Sequence, residues 1–321
     1  MLAYVVRRTL YGGVTVLGVL LLLFVLFFMV TDPRDVARKA LGEKAPPEAI
    51  THWLANHGYD KPLAWNPDDP RDTMLAEHFR RMLTFDFGRS DVDDVPIMQR
   101  IRHGAGPSLA LTVPLFTLGI PFGIGLALLV AFFRETYIDR MGVVLAVLAM
   151  SISPLLYIIG GQFLIGKLLR WFPISGFDPE PALIVRFLAL PVIIGLLAGV
   201  GENVRFYRTV FVEEAGRDHV RTARAKGCAE LQTMGRHVLR NALVPIVTRV
   251  VVAIPFLFTG SILLESFFGI PGLGSITVDA IGENDFSTLR TMVFIGSLLF
   301  ILAQIVVDVV YTIVDPRIRL E

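Results

Sequence analysis

With a single cysteine, Cys228, in 321 residues, the chain cannot close an internal disulfide and has no thiolate set for a metal cluster. That thiol reads as an incidental loop residue rather than a nucleophile. No His, Asp or Glu group shows metal-ligand spacing. The cluster Asp91, Asp93, Asp94 lacks the glycine and distal Glu of an EF-hand loop, and Pro96 cuts it short, so a plain turn is expected there. The sequence contains no G-x-x-x-x-G-K-[ST] phosphate loop, so the chain alone is not expected to hydrolyse ATP. It also lacks a G-x-[ST]-x-G elbow and an HExxH pair, which leaves membrane hydrolase chemistry without residues to carry it. A net charge of +1 gives no ground for nucleic-acid binding.

Apolar residues are what the chain has in excess. They make up 54% of it, with a mean hydropathy of +0.62, against roughly 45–50% in soluble chains. The first apolar run, residues 9–30, follows Arg7 and Arg8 and is long enough to cross a bilayer. It lacks the short core and small-residue cleavage site of a signal peptide, so it reads as an uncleaved signal-anchor with its N-terminus inside. Residues 31–104 then fall outside the cytoplasm. Trp53, Leu54, Trp65, Phe79, Met82, Leu83, Phe85 and Phe87 can bury a small core there, with helices expected at 47–56 and 72–83.

Further spans are expected at residues 107–133, 141–166, 183–200, 243–264 and 290–314. The second carries Pro107, Pro114 and Pro121 with Gly119, Gly123 and Gly125, and the fourth carries Gly195 and Gly199. Small residues at such spacing let helices approach closely. The third is expected to break near Ser151, Ser153 and Pro154. Arg249, inside the fifth, reads as snorkelling to the headgroups or, alternatively, as a substrate contact. Asp308, in the sixth, is expected to face protein or water, because an acid in lipid is costly. The architecture is therefore all-α and integral to the membrane, with six transmembrane helices and an extracytoplasmic subdomain. Its parts are residues 1–30, 31–104 and 105–321.

One polar stretch stands between two apolar ones. From Glu202 to Arg240 eight Arg/Lys face five acids, and such an excess beside spans marks the cytoplasmic side. Good helix formers fill it, and Gly227 interrupts them midway. Charge alone leaves two readings open: a solvated loop that only fixes topology, or a folded element that touches another protein.

The wording of this stretch resembles the membrane-spanning permease subunits of ATP-binding-cassette importers, in the peptide and nickel branch. Thr222-Ala223-Arg224-Ala225-Lys226-Gly227 is followed by His237-x-Leu239-Arg240-Asn241-Ala242 and Pro245. With Gly227 on the glycine of that family's "EAA" signature, Arg221, Thr222 and Ala223 stand at Glu-Ala-Ala. The chain departs from the general signature at its Glu, Ile and Pro, so no particular salt bridge to an ATPase carries over. Four further stretches resemble the family in order: the N-terminal arginines, Asp86-Phe87-Gly88-Arg89-Ser90, Pro271-Gly272-Leu273-Gly274, and Asp315-Pro316-Arg317-Ile318-Arg319.

The resemblance implies the type I importer permease fold, with a cytoplasmic coupling loop at 202–242. It also implies a bacterial inner-membrane location with both termini cytoplasmic. A second, related permease chain would pair with this one, and two ATPase subunits would bind ATP and Mg, leaving no cofactor and no catalytic or metal site in this chain. Arg217, Asp218, Arg221, Thr222, Ala223, Arg224, Ala225, Lys226 and Gly227 would couple to an ATPase. An extracytoplasmic binding protein would deliver substrate, with Phe268, Pro271, Gly272 and Asp279 as its contacts. Peptides are the implied cargo; nickel chelates, peptide antibiotics or oligosaccharides are alternatives. Two rivals remain from other classes. A channel or ion-driven carrier should show inverted repeats and mid-bilayer charges, neither of which is found. A membrane-bound enzyme lacks its catalytic set.

Overall fold

A computed structural model describes residues 2–314, apart from 31, 43, 57, 58, 60, 68, 70, 255, 256, 258 and 259. The tail Asp315–Arg319 and the side chain of Asp308 lie outside the described part, as does Pro255 of the expected fifth span.

The described chain is helical. It runs α1 (Leu2–Phe24, continued by a π-helical turn, Val25–Val30), α2 (Pro33–Leu41), α3 (Pro47–Asn56), α4 (Met74–Leu83), α5 (Ile97–Phe132) and α6 (Tyr137–Ser151). It continues with α7 (Pro154–Gly161, with a π-helical Gln162–Leu168), α8 (Pro181–Ala215), α9 (Asp218–Ala225) and α10 (Glu230–Gln232, with a π-helical Thr233–Val238). Last come α11 (Leu239–Ala253), α12 (Ile262–Phe268), α13 (Leu273–Glu283) and α14 (Phe286–Val314).

Among the described residues four segments are long and apolar enough to cross a membrane: Arg7–Val30, Ile97–Phe132, Leu183–Ala215 and Phe286–Val306. The count reaches six if two bent pairs, Tyr137–Ser151 with Pro154–Leu168 and Ile262–Phe268 with Leu273–Glu283, are each one span. The first pair bends by 89°, and its break at Ile152–Ser153 coincides with the one expected from Ser151, Ser153 and Pro154. The expected fifth span, 243–264, is not among these candidates: α11 ends at Ala253, and four of the residues beyond it lie outside the description.

The described residues divide into two compact units, 2–106 with 271–305, and 107–270 with 306–314. In the first, local chemistry starts the short helices. Asp32 caps α2 by accepting from Arg34 N (2.8 Å), with Pro33 in the first turn. Thr73 caps α4 by accepting from Ala76 N (3.1 Å), so this helix begins one residue after its cap. Leu20, Leu23 and Phe27 of α1 bury against Met82, Phe87, Ile97 and Phe294, while Val36, Ala37 and Trp53 form a smaller cluster. His78 is buried with Nε2 3.1 Å from the Leu20 carbonyl oxygen. Burial first, and the nearby Arg290 second, push its pKa down to about 4.

A polar knot also holds this unit. Asp285, wholly buried, caps α14 by accepting from Thr288 N (3.0 Å) and Oγ1 (2.6 Å), and it takes Asp91 N (3.1 Å) and the Ser90 hydroxyl as well. Asp91 in return accepts from Ser287 N and Oγ, both at 2.8 Å. Burial pushes the Asp91 pKa up. Asp93 pairs with Arg100, and Asp94 with Arg89 at 3.0 Å. The three aspartates thus turn the chain and serve three different partners.

In the second unit, helices meet where glycines leave room. A Cβ on Gly195 would lie 2.4 Å from Leu115, on Gly161 2.2 Å from Ile194, on Gly201 2.5 Å from the Ala146 carbonyl, and on Gly123 2.9 Å from Asn203. Gly125 faces open space, so it takes no part in that packing. Leu111, Ile158, Leu190, Ile194, Leu264, Phe268 and Ile270 fill one core. Within it Glu265 is fully buried, accepting from Ser108 Oγ and Ser261 N, each at 2.9 Å. An acid so placed among apolar helices has to be hydrogen-bonded.

Candidate functional site

Helix α8 has 35 residues, about 50 Å at ~1.5 Å per residue, against a hydrocarbon layer of ~30 Å. Its last turns therefore carry the polar stretch as continuous helix. Arg208 makes a two-pronged pair with Asp139 of α6 (2.6 and 2.8 Å). Arg249 of α11 pairs with Glu202 (2.6 Å), and its guanidinium lies 4.5 Å from the Phe206 ring centre. Within the chain that arginine thus has protein partners on α8.

After Gly216 the chain turns into α9. Val220 points inward to a core with Tyr207, Phe211, Ala215, Met234, Val238, Ala242 and Ile246, and Ala223 is buried as well. Beside it, buried Glu214 holds Arg217 Nε at 2.9 Å. His219 Nε2 sits 3.3 Å from Glu214 Oε1 and 3.0 Å from Asn241 Nδ2. The helix is thus fixed to the segment that precedes it and to the one that follows.

Gly227 closes α9. It stands at φ +83, its N–H donates to Arg224 O (2.9 Å), and Cys228 N donates to Ala223 O (3.2 Å). This is a helix C-terminus ended by a left-handed residue. Nothing lies within 4 Å of a Cβ built there, so the backbone angle and not crowding calls for glycine. Arg224 bonds Glu230 through Nε (3.0 Å) and Nη2 (2.6 Å), bracing the turn across the break.

The sequence-derived coupling residues therefore divide by what they touch. Asp218, Arg221, Thr222 and Ala225 are exposed at i, i+3, i+4 and i+7, one face of the helix. Lys226 is exposed beside them, Ala223 is buried, and Arg217 and Arg224 are held by internal carboxylates. Leu231, just past the turn, is 75% exposed. Sequence reasoning passed over it, although a lone leucine in a polar stretch was the available signal. Of the residues expected to meet a binding protein, Pro271 and Asp279 are exposed, Gly272 is buried, and Phe268 is only 1% exposed, whereas Phe267 is 42% exposed. Among the described residues no group of three or more His, Cys, Asp or Glu could hold a metal ion.

A helical, multi-span chain with a core-anchored polar hook is the form of a transporter's membrane subunit, and comparison with known proteins gives the family. Residues 119–320 match the binding-protein-dependent transport system inner membrane component, and residues 1–67 match the N-terminal region described for the same systems. The chain belongs to this family and is a multi-pass inner-membrane permease subunit of ATP-binding-cassette transporters. It is 31% identical over 325 residues to a peptide transport system permease protein of Brucella abortus (strain 2308), covering all of both chains. A protein with the same kind of name from Brucella suis biovar 1 is 32% identical over the same length and coverage. The glutathione transport system permease protein GsiC of Salmonella typhimurium is 32% identical over 327 residues, covering 99% of each chain.

Proposed function

We propose that this chain is one of two related permease subunits of an ATP-driven importer for di- or oligopeptides. Six crossings leave both termini cytoplasmic and put residues 31–104 outside. Two ATPase subunits, which bind ATP and Mg, sit under the pair, and an extracytoplasmic binding protein delivers the substrate. This chain contributes no catalytic group. The observation that carries the reading is the exposed α9 face, Asp218, Arg221, Thr222 and Ala225, on a helix locked to its own subunit. The peptide and glutathione names of the relatives support the cargo class.

Such a hook transmits force because it cannot slide. Val220 ties it to α8 and α11 through one core, so moving α9 moves the spans. ATP shifts the equilibrium only insofar as it binds one arrangement of the assembly more tightly than the other. Pro271 and Asp279, which are exposed, are the contacts expected for the binding protein; Phe268 would have to leave its core to join them. Reconstitution tests the reading. Liposomes holding both permease chains, the ATPases and the binding protein should take up labelled peptide only with ATP. Uptake by this chain alone would refute it.

A further inference from the structure

Between Asp139 and Asp178 the sequence carries no acid, yet it carries Lys167 and Arg170. Both cations are exposed, and neither has an ion partner among the described residues. The nearest acids in sequence are already engaged: Asp139 by Arg208, and Asp178 by the Glu180 N–H that it accepts at 2.9 Å. Lys167 Nζ lies 5.6 Å from the Phe163 ring centre. Between and after the two cations come Leu168, Leu169 and Trp171, all exposed, the last by 66%.

These side chains stand on a segment that is tied down. Leu169 N donates to Leu164 O (3.0 Å) and Trp171 N to Ile165 O (3.2 Å), which ends the π-helical continuation of α7. Gln162 Nε2 donates to the carbonyls of Ile174 (3.1 Å) and Phe267 (2.8 Å), and Gly176 N to Phe268 O (2.7 Å). Phe172 and Phe177 pack on the core beneath. Arg170 stands at φ +54 in this ending, where glycine or asparagine is the ordinary choice. The backbone would gain from glycine there, so the guanidinium and not the turn accounts for the arginine.

Together, α6 and α7 with its continuation form a bent pair apolar enough to cross a membrane. Leu156, Ile159, Phe163 and Leu164 keep that pair apolar and exposed up to Lys167. Whatever covers this end must be apolar along the helix and anionic beside the two cations. We infer that it is an anionic phospholipid, its acyl chains along the exposed apolar residues and its phosphate on Lys167 and Arg170, with Trp171 at the headgroup. Long basic side chains reach from apolar surface to a headgroup, tryptophan favours that depth, and cation–phosphate hydrogen bonds are among the strong ones. A zwitterionic lipid brings its own ammonium to the phosphate, whereas two unmatched cations call for a net negative headgroup. The inference requires neither ATP, cargo nor the other subunits.

Quenching of tryptophan fluorescence by brominated lipid tests it, on the full-length chain in dioleoyl-phosphatidylcholine bilayers. Dibrominated phosphatidylglycerol or dibrominated phosphatidylcholine is added in rising proportion. The Trp171 share is the quenching lost in Trp171→Phe, which separates it from Trp53 and Trp65. That share should report binding of the phosphatidylglycerol about fivefold tighter or more. Lys167→Gln combined with Arg170→Gly, measured the same way, should bring the ratio to about one. Glycine suits φ +54, so a misfolded turn would not explain that loss. Equal quenching by the two lipids would mean that bilayer merely solvates the face. Absence of quenching at Trp171 would mean that water or a protein partner covers it. A preference that survives the double variant would place the headgroup elsewhere. Each of these three results overturns the proposal.

Discussion

The α9 hook and the Asp285 knot solve the same problem, holding polar groups in place, by opposite means. In the hook, partners stand close in sequence and are largely exposed: Arg221 with Asp218, Arg224 with Glu230, and Arg217 with the buried Glu214. In the knot, partners are buried, and those joining Ser90 and Asp91 to Asp285 and Ser287 stand 194 to 196 residues apart. Exposed ion pairs contribute little, typically under ~1 kcal/mol, whereas stranding a buried partner is costly. The hook is thus shaped chiefly by its core and by one glycine, and the knot by its hydrogen bonds.

Asp285→Ala should have the largest effect. It leaves the Ser90 and Thr288 hydroxyls and two backbone N–H groups unsatisfied, for a loss of about 3–5 kcal/mol. Asp285→Asn, which keeps one acceptor oxygen, should cost less in thermal unfolding. His78 gives a pH test in the same unit. Its native pKa of about 4 lies below the ordinary value of 6.5, so between those values the unfolded chain binds more protons. Stability contributed by neutral His78 is complete above pH 6.5 and drains away as pH falls toward 4, by roughly 3 kcal/mol. His78→Gln should flatten that slope in unfolding curves measured across the window.

Gly227→Val forces a β-branched residue to φ +83, at about 1–3 kcal/mol of strain. Membrane insertion should survive while ATP-dependent uptake falls on the order of 10- to 100-fold. Gly227→Asn should recover much of the loss, because asparagine tolerates the left-handed region and the site has room. Equal damage by both variants would point to space rather than angle. Glu230→Gln should be mildest, under ~1 kcal/mol in stability, because the pair it breaks is exposed. A larger loss would erase the contrast between hook and knot.

What could be read from the sequence follows the same division. Pro47 announced α3, Ser151, Ser153 and Pro154 announced the bend after α6, and Gly227 announced the end of α9, because each signal acts within a turn of itself. Hydropathy marked membrane crossings but not helix ends, so α5 and α8 run well past the spans expected for them. The knot was out of reach: nothing local in Ser90 or Asp91 names Asp285. Within the hook, residue types were legible but their facing was not. Ala223 turns inward and Arg224 is occupied by Glu230, whereas Leu231 stands exposed. Phe267 and Phe268 are adjacent and identical in type, and only tertiary packing separates the exposed ring from the buried one.

The central claim is that the exposed α9 face meets an ATPase on the cytoplasmic side, and the lone cysteine makes it directly measurable. In a Cys228→Ser background, a thiol placed at Arg221 should ignore a membrane-impermeant maleimide in intact cells. It should react in inverted vesicles stripped of ATPase and be shielded when the ATPase is restored. Labelling from the outside, or labelling indifferent to the ATPase, would contradict the account.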